Sequence, residues 1–142
     1  MFSSRNRTTR VLIVDDHRVY GEMLELLLSS EPEIEVVGRA HDGLEGVELA
    51  LELRPDVVLM DVHMPRLDGI EATRRLRRRL RWTRVVVVTS SAATTHRTRA
   101  FAAGAAGFLR KDAPLEELVG TIVGSRPLLS LAARMKLLEV SA

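Results

Sequence analysis

The sequence predicts a doubly wound α/β fold, in which parallel strands and helices alternate five times. Three observations predict it. Short runs rich in Val, Ile and Leu recur along the chain, among them Val11-Leu12-Ile13-Val14, Val57-Val58-Leu59-Met60 and the four valines from Val85 to Val88. Runs of this length bounded by turn residues read as strands buried on both faces of a parallel sheet. The segments between them place apolar residues at helical spacing and end at proline or glycine. Finally, polar residues follow the runs: the Asp15-Asp16 pair, Asp61 and Lys111. Ligands of open α/β sheets sit beyond the carboxyl ends of the strands, so these residues are expected to converge. Carboxylates and an ammonium at one place suit a divalent cation and an anionic group.

Each element can be justified in order. The first strand is expected over Arg10–Asp15, and a helix follows from about Arg18 to Ser29. Val19, Met23, Leu24, Leu27 and Leu28 give that helix its apolar stripe, and Pro32 stops it. The second strand spans Ile34–Gly38, and the second helix runs from Gly43 to Leu53, stopped by Pro55. The third strand is Asp56–Asp61. Asp68 then reads as the N-cap of the third helix, with Glu71 at the reciprocal position of a capping box, and the helix continues to about Leu80. Arg84–Thr89 is the fourth strand, since consecutive β-branched residues favour a central strand over a helix. The fourth helix is expected from about Thr95 to Ala103, with Gly104 as its C-cap. The fifth strand is the short Ala106–Leu109. Pro114 opens the fifth helix, from about Leu115 to Gly124. Strand–helix alternation of this kind demands right-handed crossovers.

Composition narrows the function classes. A chain of 142 residues with 46% hydrophobic and 28% charged residues has the balance of one globular domain rather than of a disordered chain. The longest apolar runs fall far short of the ~18 residues of a membrane span. Residues 1–9 carry Arg5 and Arg7 without an apolar segment, unlike a secretory signal, and a soluble, cytoplasmic protein is expected. With no cysteine there is neither a disulfide framework nor thiolate chemistry. His17, His41, His63 and His96 do not show metal-ligand spacing.

The formal charge of +2 conceals a patchy distribution. Arg5, Arg7 and Arg10 cluster at the start, and seven arginines stand against one glutamate between Glu71 and Arg84. The rest of the chain is therefore acidic, and the pI of about 9.6 is no general signature of nucleic-acid binding. Arg74, Arg75, Arg78 and Arg81 fall close together on one side of a helix and would suit phosphates or an acidic partner. A solvated helix face is the preferred reading of that stretch, because only Trp82 accompanies it as an aromatic.

The ordered set of strand-end residues resembles the receiver domain of bacterial two-component response regulators. The matching segments are Val11 through His17, Asp56 through Asp61, Met64-Pro65, Asp68-Gly69, Thr89, Gly104 through Leu109, and Lys111. The resemblance covers roughly Arg10 to Val123, and the run from Gly104 to Asp112 with Pro114 is most similar to receivers of NarL/FixJ (LuxR-type) transcription factors. It implies a flavodoxin-like (βα)5 fold, strand order 2-1-3-4-5, over residues 10–124. It also implies that Asp61 accepts a phosphoryl group from a sensor histidine kinase in a Mg²⁺-dependent reaction. Asp15, Asp16, Asp61 and the main-chain carbonyl of His63 are the implied metal ligands. Lys111 would pair with the phosphoryl oxygens and the Thr89 hydroxyl would donate to one of them. The His63 side chain and Ser91 occupy positions that influence phosphoryl lifetime. Thr89 and Phe108 take the places of the family's switch pair, moving the surface formed by the fourth helix, fifth strand and fifth helix.

Bland roles stand beside these. A lone acidic residue at a strand end is usually a turn former or helix cap, and Lys111 alone would be a solvated lysine. Thr89 also suits the last β-branched residue of its strand, and Phe108 an ordinary half-buried core residue. Two other functions compete. A Mg²⁺-dependent aspartyl-phosphate phosphohydrolase commonly separates its two aspartates by one residue, whereas Asp15 and Asp16 are adjacent and no cap domain is available. A pseudo-receiver that takes no phosphate is disfavoured by the intact acidic, hydroxyl and lysine positions. The expectation is a phosphoacceptor that assists its own phosphorylation and dephosphorylation, not an enzyme acting on a separate substrate.

Residues 125–142 differ from the rest. Leu128, Leu129, Leu131, Met135 and Leu138 form an apolar stripe after Pro127, which suits a linker or amphipathic helix. Such a stripe needs a cover: its own domain, a second copy in a homodimer, or further chain. It resembles the linker preceding a DNA-binding domain, so DNA contact is implied only through an output domain not contained in these residues.

Overall fold

The apolar runs pair into one parallel sheet, as their burial on both faces requires. The structure is a computed structural model that describes residues 8–90 and 94–125, the side chain of Ser125 excepted. The elements are β1 (Thr9–Val14), α1 (Arg18–Ser29), β2 (Ile34–Ala40), α2 (Gly43–Leu53), β3 (Val57–Met60), α3 (Gly69–Arg79), β4 (Arg84–Thr89), α4 (Thr94–Ala102), β5 (Gly107–Arg110) and α5 (Leu115–Ser125). The sheet order is β2-β1-β3-β4-β5, the flavodoxin-like order that the resemblance implies. Ser91 and the expected helix over Leu128–Leu138 lie outside the described residues. Among the described residues no helix is long and apolar enough to cross a membrane.

Side chains alternate along each strand and feed two cores, one on each sheet face. Leu12, Val14, Val58, Met60, Val85 and Val87 pack with Ala50 of α2, Leu76 of α3 and Ala100 of α4. Val11, Ile13, Val57, Leu59, Val86 and Val88 pack with Leu24 and Leu28 of α1 and Leu118 and Ile122 of α5. Each fully buried Val, Leu or Ile side chain stabilises the fold by about 1.5–3 kcal/mol, so the three central strands anchor everything attached to their ends.

Several expected boundaries move by one or two residues. β1 and β3 stop before Asp15 and Asp61, although both amides still donate across the sheet, Asp15 to Ala40 at 3.0 Å and Asp61 to Val14 at 2.9 Å. β2 runs on to Ala40 because Gly38 does not end it. A register shift between Val11 and Leu12 absorbs one extra residue, and Gly38 receives Leu49 and Leu53 at close range. β5 and α4 also shift by one residue from their expected limits. Gly104 follows α4 with a φ of 106°, which accounts for glycine there. Pro114 precedes α5 and accepts from the Leu118 amide, so it caps the helix rather than entering it.

The stripe expected to bury α1 is only partly buried. Leu24 and Leu28 face the sheet, whereas Val19 is 72% exposed and Met23 and Leu27 are also exposed. The apolar residues of α1 cover more of its circumference than one sheet contact can bury, so the strip beside Leu24 and Leu28 faces outward. Glu71 also departs from its expected reciprocal role. The Asp68 carboxylate does accept from the Glu71 amide at 2.9 Å, but the Glu71 carboxylate binds Arg74 and Arg75. A related pairing forms at α2, where the N-cap Asp42 accepts from the Glu45 amide and Glu45 accepts from the amide of His41, one residue before the cap.

Candidate functional site

The carboxyl ends of β1, β3 and β5 bring together the residues singled out from the sequence. One oxygen from each of Asp15, Asp16 and Asp61 lies within 4.8 Å of the others. Asp15 and Asp61 are buried at 5% and 6% exposure, while Asp16 is exposed. Lys111 follows β5 and reaches back across the sheet. Its Nζ lies 2.7 Å from Asp15 Oδ2 and 3.7 Å from Asp61 Oδ1. Two buried carboxylates thus share one ammonium, and the Asp15 pairing is the tighter.

Backbone donors fix the carboxylates. The His17 amide donates to Asp15 Oδ1 at 2.8 Å and the Val62 amide to Asp61 Oδ1 at 3.0 Å. Gly69 lets the start of α3 close on this turn. A Cβ there would lie 1.8 Å from the Asp61 carbonyl oxygen, and the Gly69 amide donates to the Val62 carbonyl at 2.8 Å. Thr89 is fully buried at the end of β4, and its carbonyl accepts from the Lys111 amide at 2.8 Å. The phosphoacceptor candidate, the lysine and the threonine therefore sit on neighbouring strand ends.

Electrostatics set Asp61 apart. Burial raises its pKa to about 7, reinforced by the charge of Asp15; Lys111 pulls the other way, Asp16 raises it further, and the Val62 amide lowers it. Negative charge is thus over-supplied here, and a single ammonium does not offset it. The donor set is made of hard carboxylate oxygens, the chemistry that suits Mg²⁺ and not a soft metal. On that ground Asp15, Asp16 and Asp61 fit a divalent cation.

The site opens as a cleft of about 360 Å³ whose lining includes Asp16, Tyr20, Asp61, His63, Ser90 and Lys111. Tyr20 and His96 were not singled out from the sequence. The Lys111 Nζ lies 4.6 Å from the Tyr20 ring centroid, and burial followed by the charges of Asp15 and Asp61 pushes the phenol up to about 12. Tyr20 stands four residues after Asp16 in the first turn of α1, where the apolar residues around it mask it in the sequence. His63 is exposed, and its ring meets that of His96 on α4 edge to face, with centroids 4.9 Å apart. Nothing in their sequence separation indicates that contact. Phe108 is half-buried on β5 against the α3/α4 side of the core, with the Arg97 guanidinium 6.0 Å from its ring centroid.

Fold and site together define a receiver. The family model of the response regulator receiver domain matches residues 11–123, and the chain belongs to that family. Among relatives, it is 42% identical over 113 residues to the transcriptional regulatory protein LiaR of Bacillus subtilis, covering 80% of this chain and 54% of that one. It is 46% identical over 113 residues to the response regulator GacA of Pseudomonas aeruginosa, covering 80% and 53%. The chain therefore spans about half the length of these relatives. Among solved structures, the receiver domain of the response regulator NarL from Mycobacterium tuberculosis superposes with a TM-score of 0.80 at 34% identity, covering 83% of this chain and 95% of that one. The response regulator domain of Thermotoga maritima CheB gives 0.77 at 38% identity, covering 84% and 96%.

Proposed function

We propose that Asp61 is the phosphoacceptor of a two-component phosphorelay and that the domain switches an interaction surface when Asp61 is modified. The observation that carries this reading is the convergence of Asp15, Asp16, Asp61 and Lys111 at three strand ends, within the distances given above. An Asp61 carboxylate oxygen attacks phosphorus of a phosphohistidine on a partner kinase. The new O–P bond replaces the N–P bond, and the departing histidine nitrogen takes up a proton. Asp15, Asp16, Asp61 and the His63 carbonyl would hold Mg²⁺, which supplies neutralisation of carboxylate and phosphoryl charge. Lys111 then pairs with the phosphoryl oxygens as a point charge, and Thr89 donates its hydroxyl to one of them. Holding these groups in place is most of the catalysis, and the protein assists only its own modification.

The acyl phosphate carries about −1.5 to −2 charges beside Thr89, in place of the single charge of the Asp61 carboxylate. Thr89 and Phe108 are the two-state element that this charge biases, through the surface of α4, β5 and α5. Because the relatives are transcriptional regulators and response regulators, the domain is read as the regulatory part of a cytoplasmic transcriptional regulator, reaching DNA through a separate output domain.

The test is labelling with Mg²⁺ and acetyl phosphate, followed by intact-mass measurement and mapping of the modified residue. One phosphoryl adduct on Asp61 is expected, abolished in Asp61→Asn and suppressed by a chelator. Modification of another residue, or none from either the small donor or a kinase, overturns the assignment.

A further inference from the structure

The described surface carries a second concentration of charge, opposite in sign and at the other end of the sheet. In a parallel sheet every strand starts, and every crossover helix ends, at the pole away from the carboxylates. Arg10, Arg54, Arg77, Arg78, Arg79, Arg81 and Arg84 all belong to that pole by their places at strand starts, helix ends and the α3–β4 turn; Glu31, Glu33, Glu52 and Asp56 share it by the same placement, so arginine is in excess there.

The structure sorts these arginines into two kinds. Arg10 donates to the carbonyls of Leu53 and Arg54, both at 2.9 Å. Arg77 donates to the carbonyls of Arg81 and Thr83, and Arg84 to that of Arg81. Those three close helix-end and turn carbonyls. Arg54, Arg78, Arg79 and Arg81 are exposed and form no ion pair among the described residues. The Arg81 guanidinium lies 5.8 Å from the Trp82 ring centroid, against the surface.

We propose that this pole binds the phosphodiester backbone of nucleic acid, without reading bases. Like charges in excess repel one another, and a polyanion relieves that repulsion. The seven basic residues at the pole are all arginine, whose planar fork matches phosphate in two parallel hydrogen bonds. A protein partner would need an apolar centre to its interface. The large exposed apolar side chains among the described residues are instead Val19, Met23, Leu26 and Leu27 of α1 and Phe101 of α4. Among the described residues the pole is made of strand starts, helix ends and turns rather than of the length of a helix or strand that could lie in a groove, so contact is with phosphates and not base edges. The carboxylate site at the opposite end orients the domain, keeping the site turned away from the bound polyanion.

The experiment is fluorescence anisotropy of the full 142-residue protein with a labelled 30-base-pair duplex of arbitrary sequence. Binding is expected at 50 mM salt, weakening roughly 150- to 500-fold by 200 mM, as about four to five phosphate contacts dictate. The triple variant Arg78→Gln/Arg79→Gln/Arg81→Gln is expected to bind at least tenfold more weakly, with a shallower salt dependence. Its unfolding midpoint and its acetyl phosphate labelling are measured alongside, so that loss of fold or of the phosphoacceptor site is told apart from loss of the pole. No binding at 50 mM, or a correctly folded variant that binds like the parent, overturns the proposal. Poly-glutamate or phosphatidylglycerol vesicles competing as well as unlabelled duplex at equal charge also overturn it, in favour of an acidic protein or a membrane.

Discussion

Asp61 concentrates the tension of this site in one side chain. It is buried beside Asp15, and burial raises its carboxyl from the ordinary value of 3.8 to about 7. A carboxyl whose folded pKa is raised favours folding in its neutral form. Its contribution is complete below the unfolded pKa near 3.8 and is lost as pH rises through about 7. In chelator-treated protein, Asp61→Asn should therefore stabilise more at pH 8 than at pH 5. After allowance for solvent screening the extra gain is about 1–2 kcal/mol, read from urea unfolding at the two pH values. Equal gains at both would show that Asp61 does not titrate in this interval. Lys111 supports the same site from the other side. Its ammonium is 2.7 Å from Asp15 and 3.7 Å from Asp61, so Lys111→Met leaves two buried carboxylates without their shared cation. The expected loss at pH 7.5 is about 1–3 kcal/mol, and urea unfolding unchanged from the parent would contradict it.

At the scale of elements, the β3–α3 turn shows why sequence reading reached the strands more fully than the loops. Four-residue apolar runs such as Val57–Met60 declare themselves, and Asp68 declares the cap of α3. The outward strip of α1 did not, since Val19 and Leu28 have similar hydropathy and only packing separates them, one exposed and the other fully buried. The strand-end carboxylates were legible because period and topology fix where strands end. Tyr20 and the His63–His96 contact were not, because both depend on helices folding over the sheet. In the sequence Gly69 stands only beside the Asp68 cap, as part of the receiver resemblance, yet it is the point where α3 meets the Asp61 carbonyl. A methyl group placed 1.8 Å from that oxygen must displace the helix start or the turn. Gly69→Ala should cost about 2–4 kcal/mol in urea unfolding and slow acetyl phosphate labelling as well. A variant with parental stability would mean that the turn relaxes freely.

Across the whole molecule, one acidic and one basic cluster stand at opposite ends of the sheet. Asp15, Asp16 and Asp61 cluster at the strand ends, and Arg77, Arg78, Arg79, Arg81 and Arg84 cluster around the start of β4, so each cluster is destabilised by its own like charges. Whatever neutralises one end should stabilise the entire fold, because the three central strands run from one end to the other through both cores. A cation that binds the folded carboxylates and not the unfolded chain contributes RT ln(1 + [L]/Kd), about 2.7 kcal/mol at a hundredfold excess over Kd. Added Mg²⁺ should accordingly raise the thermal midpoint, and a chelator should reverse the gain. The gain should grow from pH 5 to pH 8, because binding requires Asp61 ionised and its pKa is about 7 in the metal-free fold. Asp16→Asn should reduce the Mg²⁺ gain with little effect on the metal-free midpoint, since Asp16 is exposed and lies outside the Lys111 pair. Differential scanning calorimetry with and without Mg²⁺ at both pH values makes the comparison. A gain of equal size at pH 5 and pH 8, or one that survives in Asp16→Asn, would place the cation elsewhere on the molecule.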